Sequence, residues 1–265
     1  MANVGGGRTA LITGASSGIG EAYARRLAGD GFNLVLVARR KKVLEELADE
    51  LSKAYKVNVD VEAADLCNDA DVARLVELIG GSGSLEMLIN NAGFITSERF
   101  IDADLERQLD MVRVHDVATM RLTKAALDVM RAGAGGKIIN VSSIAGLLPA
   151  AYNATYNASK AFLVGLTEGL FQELTLSGEK RIRLQVLCPG YTHTGFHEAA
   201  GADRAGAVER AWMTAGEVVE ESLAGLEKGK LVCIPGAKNR ALAWFMYAMP
   251  RRVRYVLLRT VVKED

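Results

Sequence analysis

A tyrosine and a lysine stand four residues apart in Thr155-Tyr156-Asn157-Ala158-Ser159-Lys160, and a serine, Ser143, lies thirteen residues before the tyrosine. The run leading to that serine, Lys137-Ile-Ile-Asn-Val-Ser-Ser143, reads as a strand. On a helix, positions i and i+4 share one face. A phenol beside an ammonium is stabilised as the phenolate, so its pKa is expected to fall from about 10 toward the working pH. There it can exchange a proton with an alcohol or a ketone, as a general acid/base must. A hydroxyl from Ser143 would hold the same substrate oxygen and stabilise charge developing on it. Taken alone, the pair also fits a Tyr and a Lys on an ordinary amphipathic helix. The elements that position it carry the decision.

Near the other end of the chain, Arg8-Thr-Ala-Leu-Ile-Thr13 reads as a short buried strand. It leads into Gly14-Ala15-Ser16-Ser17-Gly18-Ile19-Gly20, and Glu21 to Leu27 then has helical character. Glycines at such a turn let the backbone approach a pyrophosphate, whose charge is met by free amides and by the positive end of the helix dipole. The spacing is Gly-x-x-x-Gly-x-Gly, which differs from the commoner Gly-x-Gly-x-x-Gly fingerprint. With 27 glycines in the chain, a chance cluster competes with this reading, and its place directly after the first strand argues against chance.

Between these motifs, apolar runs alternate with helical patterns. Strands are expected near 10–13, 33–38, 57–63, 87–90, 137–141, 183–187 and 231–234. Near-continuous apolar strands separated by helices mean a parallel sheet covered on both faces. The expected fold is therefore α/β, a Rossmann-type doubly wound sandwich with a seven-stranded parallel sheet in a single domain. The 265 residues, 49% of them apolar, suit one large domain with a core of its own. The Gly-rich stretches 80–84 and 132–136 read as loops before strands, not as domain boundaries.

Charge excludes some partners. With 32 basic and 32 acidic side chains, no global field recruits nucleic acid or an acidic membrane. Cys67, Cys188 and Cys233 are odd in number and lack Cys-x-x-Cys pairing, which speaks against a disulfide framework or a zinc site and suits a reducing, cytoplasmic setting. His193 and His197 make no credible metal-ligand set, and no metal is expected. Residues 1–7 have no basic flank and no apolar run of signal length, and read as a frayed leader.

Thr13 to Gly20, Asn90-Asn-Ala-Gly93, Asn140-Val-Ser-Ser143, Tyr156-Asn-Ala-Ser-Lys160 and Pro189-Gly190 occur in this order. In that set of motifs the chain resembles the short-chain dehydrogenase/reductase family, from about Arg8 to Thr194. The resemblance implies an NADP(H)-preferring, ketoreductase-like oxidoreductase spanning 1–265. Residues 8–190 would be the cofactor-binding and catalytic core, 191–228 a substrate loop and helix, and 238–259 a C-terminal helical tail. Gly14, Ser16, Ser17, Gly18, Ile19 and Gly20 would hold the cofactor's phosphates. Asp65 and Leu66 would lie at the adenine, with a helix cap as the competing role for Asp65. Asn90 would sit near the adenosine side, and Asn91, Ala92 and Gly93 would permit close approach to a ribose. Pro189, Gly190, Thr192 and Thr194 would line the nicotinamide, Thr194 bonding its carboxamide. Ala38 occupies the place where NAD-preferring members usually carry an acid, and Arg39 follows with a guanidinium suited to a 2′-phosphate. Alternatively, Arg39, Arg40, Lys41 and Lys42 merely open a solvated helix, although basic residues at a helix start oppose its dipole.

By the same resemblance, the mechanism is hydride transfer to a carbonyl carbon while Tyr156 protonates the oxygen, Ser143 fixes it, and Lys160 lowers the tyrosine pKa and grips the nicotinamide ribose. In one departure, His115 stands where relatives carry an Asn that helps to hold a relay water. An imidazole could hold a water too, or it could break the relay, and an alignment shifted by one would put Asp116 there instead. Substrate choice depends on 191–213, a small polar stretch that reads as a lid and ends in Trp212-Met213. Ile144, Leu147, Leu148 and Phe196 suit an apolar ketone or acyl chain, or simple core packing. The apolar run 241–249 is too short to span a bilayer. It fits a homodimer or homotetramer contact, a cover over the pocket, or peripheral contact with a membrane surface. Two other functions share these features: a non-catalytic NADP(H)-binding sensor or scaffold, and a membrane-peripheral adaptor.

Overall fold

In β1 (Thr9–Thr13) all five side chains are buried. Successive strand residues point to opposite faces, so such a strand needs cover on both sides. Leu11 packs into one core, and Ala10 and Ile12 pack into the other. The computed structural model describes residues 7–96, 98–148, 151–193, 212–250 (the Tyr247 side chain excepted) and 252–254. Within them β2 (Asn33–Ala38), β3 (Val59–Ala63), β4 (Leu85–Asn90), β5 (Gly136–Val141), β6 (Ile182–Leu187), β7 (Thr192–His193), β8 (Met213–Thr214) and β9 (Val232–Cys233) follow β1. Seven of these make one parallel sheet in the order β3-β2-β1-β4-β5-β6-β9, the doubly wound arrangement expected from the sequence.

The helices are α1 (Gly18–Gly29), α2 (Lys41–Tyr55), α3 (Asp69–Gly80), α4 (Leu105–Val112), α5 (Thr119–Ala132), α6 (Ala154–Leu176), α7 (Ala215–Glu227) and α8 (Ala237–Ala248). Leu27 of α1, Leu44 and Leu51 of α2, and Val218 and Leu226 of α7 cover one face of the sheet. Leu75 and Ile79 of α3 and Leu122 and Ala126 of α5 cover the other. Each fully buried leucine stabilises the fold by about 2 kcal/mol. Caps set the helix starts. Asn68 accepts from the Ala70 and Asp71 amides ahead of α3, and Thr214 and Glu217 close a capping box on α7.

Some boundaries differ from the periodic reading. β3 starts two residues later than expected because Lys56 ends α2 in the left-handed region and the Asn58 amide bonds to Asn33 Oδ1 before the ladder begins. β9 shortens to two residues, the length over which it pairs with Val186 and Leu187. A second, two-stranded sheet of β7 and β8 was not expected. Nor was the six-residue π-turn, Arg113–Ala118, that splices α4 to α5. All three cysteines are free thiols. On α8, Asn239, Ala243 and Met246 face inward while Leu242, Trp244 and Phe245 are exposed, and no helix among the described residues is long and apolar enough to cross a membrane.

Candidate active site

Because the strands are parallel, the segments that follow β1, β4, β5 and β6 gather at one edge of the sheet. The strand order reverses between β1 and β4, which opens a crevice at that edge. The turn after β1 is tight: Gly14 and Gly18 have φ of +67° and +61°, and a Cβ on Gly20 would lie 2.3 Å from the Gly14 carbonyl oxygen. Side chains brace it from the β4 side. Thr13 Oγ1 accepts the amides of Asn91 and Ala92 at 2.9 and 3.0 Å, and Asn91 Nδ2 donates to the carbonyls of Thr13 and Gly14 at 3.0 and 3.3 Å. Ser17, at the start of α1, makes no side-chain cap, so the first-turn amides keep their positive potential for an anion.

The arginine that reaches this turn is Arg40. Its Nη2 donates to Ser16 O at 3.2 Å, Ser16 Oγ at 2.8 Å and Ser17 Oγ at 2.9 Å. Arg39 is exposed, and its charge acts on Cys67, the residue two beyond Asp65. Asp65 does not cap α3, since Asn68 does; Asp65 Oδ1 accepts the Cys67 amide at 3.0 Å.

Ser143 follows β5 and heads a 3-10 turn, Ile144–Gly146, its Oγ accepting the Ala145 amide at 3.1 Å. It is also hydrogen-bonded to the side chain of Tyr156, in the first turn of α6. Lys160 Nζ lies 5.6 Å from the centre of the Tyr156 ring and donates to Val141 O at 2.9 Å. The structure thus brings all three together, with Tyr156 and Lys160 buried. A buried polar ladder fixes α6 to the sheet: Asn90 Nδ2 donates to Thr123 Oγ1 and to Asn140 Oδ1, and Asn140 Nδ2 donates to Thr167 Oγ1, each at 2.9–3.0 Å. On the fourth segment, Ile144 N donates to Pro189 O at 2.9 Å and Thr192 Oγ1 to Gly190 O at 3.2 Å.

The electrostatics correct one expectation. Burial pushes the Tyr156 phenol up to about 12, against the hydrogen bond from Ser143, so it does not fall toward neutrality in the protein alone. Burial likewise takes Lys160 down to about 8, opposed by Asp116 and Cys188. Sequence spacing shows that the two are neighbours but not how far water is excluded from them, and here exclusion is the larger effect.

His115 lies fully buried on the π-turn. The Phe94 amide donates to Nε2 at 3.0 Å, so that nitrogen carries no proton, and Nδ1 lies 2.9 Å from Ser159 Oγ. The Ser159 hydroxyl donates to Tyr156 O at 3.0 Å, which makes Nδ1–H the donor to Ser159. Burial, and then the charge of Lys160, hold the ring well below its usual pKa and neutral. Both ring nitrogens are occupied by the protein, which leaves the ring no nitrogen with which to hold a water.

Comparison with known proteins agrees with this architecture. The family model for short chain dehydrogenase matches residues 8–205. The chain belongs to the short-chain dehydrogenase family. A short-chain dehydrogenase from Sphingobium yanoikuyae in complex with NADPH is 34% identical, with 97% of each chain covered and a TM-score of 0.83. The bulky-bulky ketone specific alcohol dehydrogenase from Comamonas testosteroni is 33% identical over 93% of this chain and 96% of its own, with a TM-score of 0.77. A very-long-chain 3-oxoacyl-CoA reductase from Podospora anserina is 38% identical over 177 residues, which make up 65% of this chain and 52% of that protein.

For a short-chain dehydrogenase the implied cofactor is a nicotinamide dinucleotide, and the residues fit one: neither Gly14 nor Gly20 has room for a Cβ in this turn, and the start of α1 supplies amides for phosphate. Thr194, Phe196 and His197 lie outside the described residues, as does the tail beyond Arg254. Sequence reading singled out Arg39 at this helix start and gave Arg40 no separate role. A basic residue placed against the dipole at the start of α2 was the available signal, and it applied equally to both.

Proposed function

We propose that this short-chain dehydrogenase interconverts a carbonyl and a secondary alcohol with NADP(H), with Tyr156 as the general acid/base. The observation that carries this reading is the contact of the Tyr156 side chain with Ser143, beside the ammonium of Lys160. When bound, the cofactor supplies the hydride that the carbonyl carbon receives. The substrate oxygen would sit between the hydroxyls of Ser143 and Tyr156. With its pKa at about 12, Tyr156 carries its proton at neutral pH and can give it to the oxygen as charge develops there. Lys160 places a positive charge beside the phenolate so formed. His115 acts by position, since its chain through Ser159 to the Tyr156 carbonyl fixes the first turn of α6.

Arg40 on Ser16 and Ser17, with Arg39 beside it, supports the preference for a 2′-phosphate. Half-buried Ile144, directly after Ser143, favours a small-molecule ketone with an apolar flank, whereas Leu147 packs against the Val164, Val186 and Cys188 core and Leu148 is buried. The test is oxidation of NADPH and NADH over a panel of ketones, diketones and acyl thioesters, with Tyr156→Phe as control. Turnover with NADPH is expected, and Tyr156→Phe should lose about 10²-fold or more in kcat while still binding NADPH. Equal turnover in the variant overturns the role given to Tyr156.

A further inference from the structure

Helix α8 is apolar on two opposite sides. Asn239, Ala243 and Met246 are buried on the inner one. On the other, Ala241, Trp244, Phe245 and Ala248 recur at i, i+3, i+4 and i+7, and all four are exposed, Trp244 to 75% and Phe245 to 56%. Leu242, beside them, is exposed as well. An apolar stripe on the outside of a fold marks a contact.

Charge decides what it contacts. From Lys228 to Lys263 the sequence carries nine basic residues and no Asp or Glu, in a chain whose acidic and basic totals are equal. Lys238 and Arg240 stand on either flank of the stripe, both exposed, and exposed Arg252 follows α8 without an ion pair among the described residues. The acids that approach come from other elements. Glu221 of α7 accepts from Arg240 at 2.7 Å and from the Gly236 amide, and Glu168 of α6 shares with Met249 and Arg254 a cavity of about 540 Å³. A second copy docked by the same face would set this basic segment against itself, because a two-fold contact joins identical patches. An anionic lipid surface meets both features at once, its headgroups taking the cations and its acyl boundary the aromatic rings. With twelve residues α8 is too short to cross a bilayer and lies along it.

We propose that α8 docks the protein on an anionic lipid surface, with Trp244 and Phe245 at the acyl boundary and Lys238 and Arg252 beside the lipid phosphates. The helix is firmly seated for this. Asn239 Nδ2 donates to Pro235 O at 2.9 Å, and a Cβ on Gly190 would lie 2.7 Å from Asn239 Oδ1, so the inner side of α8 rests on the loop that follows β6. The same loop accepts, at Pro189 O, the amide of Ile144 next to Ser143. Docking therefore holds the candidate site close to the lipid boundary, where an apolar ketone collects. That consequence alone rests on the carbonyl-reducing reading.

Co-sedimentation with vesicles of phosphatidylcholine, with and without an equal part of phosphatidylglycerol, tests the docking. The protein should bind the anionic vesicles about 10-fold or more tightly than phosphatidylcholine alone, and should be released at about 1 M salt, where the Debye length is about 3 Å. Trp244 is one of two tryptophans, so in Trp212→Phe its emission should shift to the blue as vesicles bind. Phe245→Glu, at an exposed position that leaves the core untouched, should weaken vesicle binding by about 10-fold or more. A native protein that ignores anionic vesicles overturns the proposal, and so does a Phe245→Glu protein that binds them as the native one does. Equal binding to soluble polyglutamate without a blue shift would assign the patch to an acidic protein. A Phe245→Glu chain that sediments as a smaller species without lipid would assign it to a second copy, and either result overturns the lipid surface. A protein that binds vesicles but turns over no ketone sinks the carbonyl-reducing function and leaves the docking standing; turnover by a protein that binds no vesicles does the reverse.

Discussion

Two adjacent arginines make different contacts. Arg40 makes a fork of bonds to Ser16 and Ser17 from a position just past the end of β2, where the chain turns into α2 and the alternation of strand side chains no longer applies. Arg39 has its electrostatic effect on the Asp65 side, at Cys67. A guanidinium already held against two serine hydroxyls loses little further freedom when a phosphate arrives, so Arg40 should contribute more to 2′-phosphate recognition than its neighbour. Arg40→Ala is expected to weaken NADPH by about 10-fold or more while changing NADH little, as one charge-assisted phosphate contact would. Arg39→Ala should cost less. Fluorescence titration of both variants with both cofactors checks this, and a larger loss at Arg39 would return the phosphate role to that residue.

At the scale of elements, the loop after β4 and the π-turn are fitted to one another. A Cβ on Gly93 would stand 2.7 Å from His115 Nε2, although nothing in the Gly93 backbone demands glycine. Gly93→Ala should therefore destabilise by about 1–3 kcal/mol through overpacking, and His115→Ala by about 3 kcal/mol through lost volume and two lost hydrogen bonds. The double variant should cost less than the two losses together, because removing the ring removes the clash. Urea unfolding of the four proteins measures this, and strict additivity would mean that the loop and the turn are not in register. His115 adds a pH signature. Its folded pKa is lowered, so below the usual value of 6.5 the unfolded chain binds the proton that the native ring refuses. Stability is lost as pH falls through that region, and the loss should flatten in His115→Ala. These elements also show what the sequence could disclose. The parallel strands were legible because burial on both faces makes them continuous apolar runs, and Ser143, Tyr156 and Lys160 were legible from their types and spacing. The π-turn was not, because one extra residue in a helical turn leaves the local pattern of Val114, Ala118 and Leu122 looking helical. Nor was the tyrosine pKa, which depends on water excluded by residues far away in the chain.

Over the whole molecule, equal numbers of acids and bases leave no net charge to keep copies apart. The surface meanwhile carries apolar side chains along one side of the helices that frame the site: Leu105 and Leu109 on α4, Val117 on the π-turn, Met120 on α5 and Phe162 on α6. These recur at i+4 or nearly so, which lines them up on one face, and α4 and the π-turn pack directly against α6. Next to Phe162 the outer side of α6 is smooth, with Ala158, Ala161, Gly165 and Gly169 exposed. A helix apolar on its outer as well as its inner side is one that another surface covers. The chain is expected to sediment as a dimer or larger assembly, not as a 28.4 kDa monomer. Phe162→Glu would place a charge in the middle of that face without touching the core, and should shift the protein toward monomer. Because Tyr156 and Lys160 sit on the inner side of the same helix, dissociation should lower thermal stability before it alters NADPH binding. Sedimentation velocity read beside the melting curve follows both, and a native protein that stays monomeric at high concentration would rule this face out as a subunit contact.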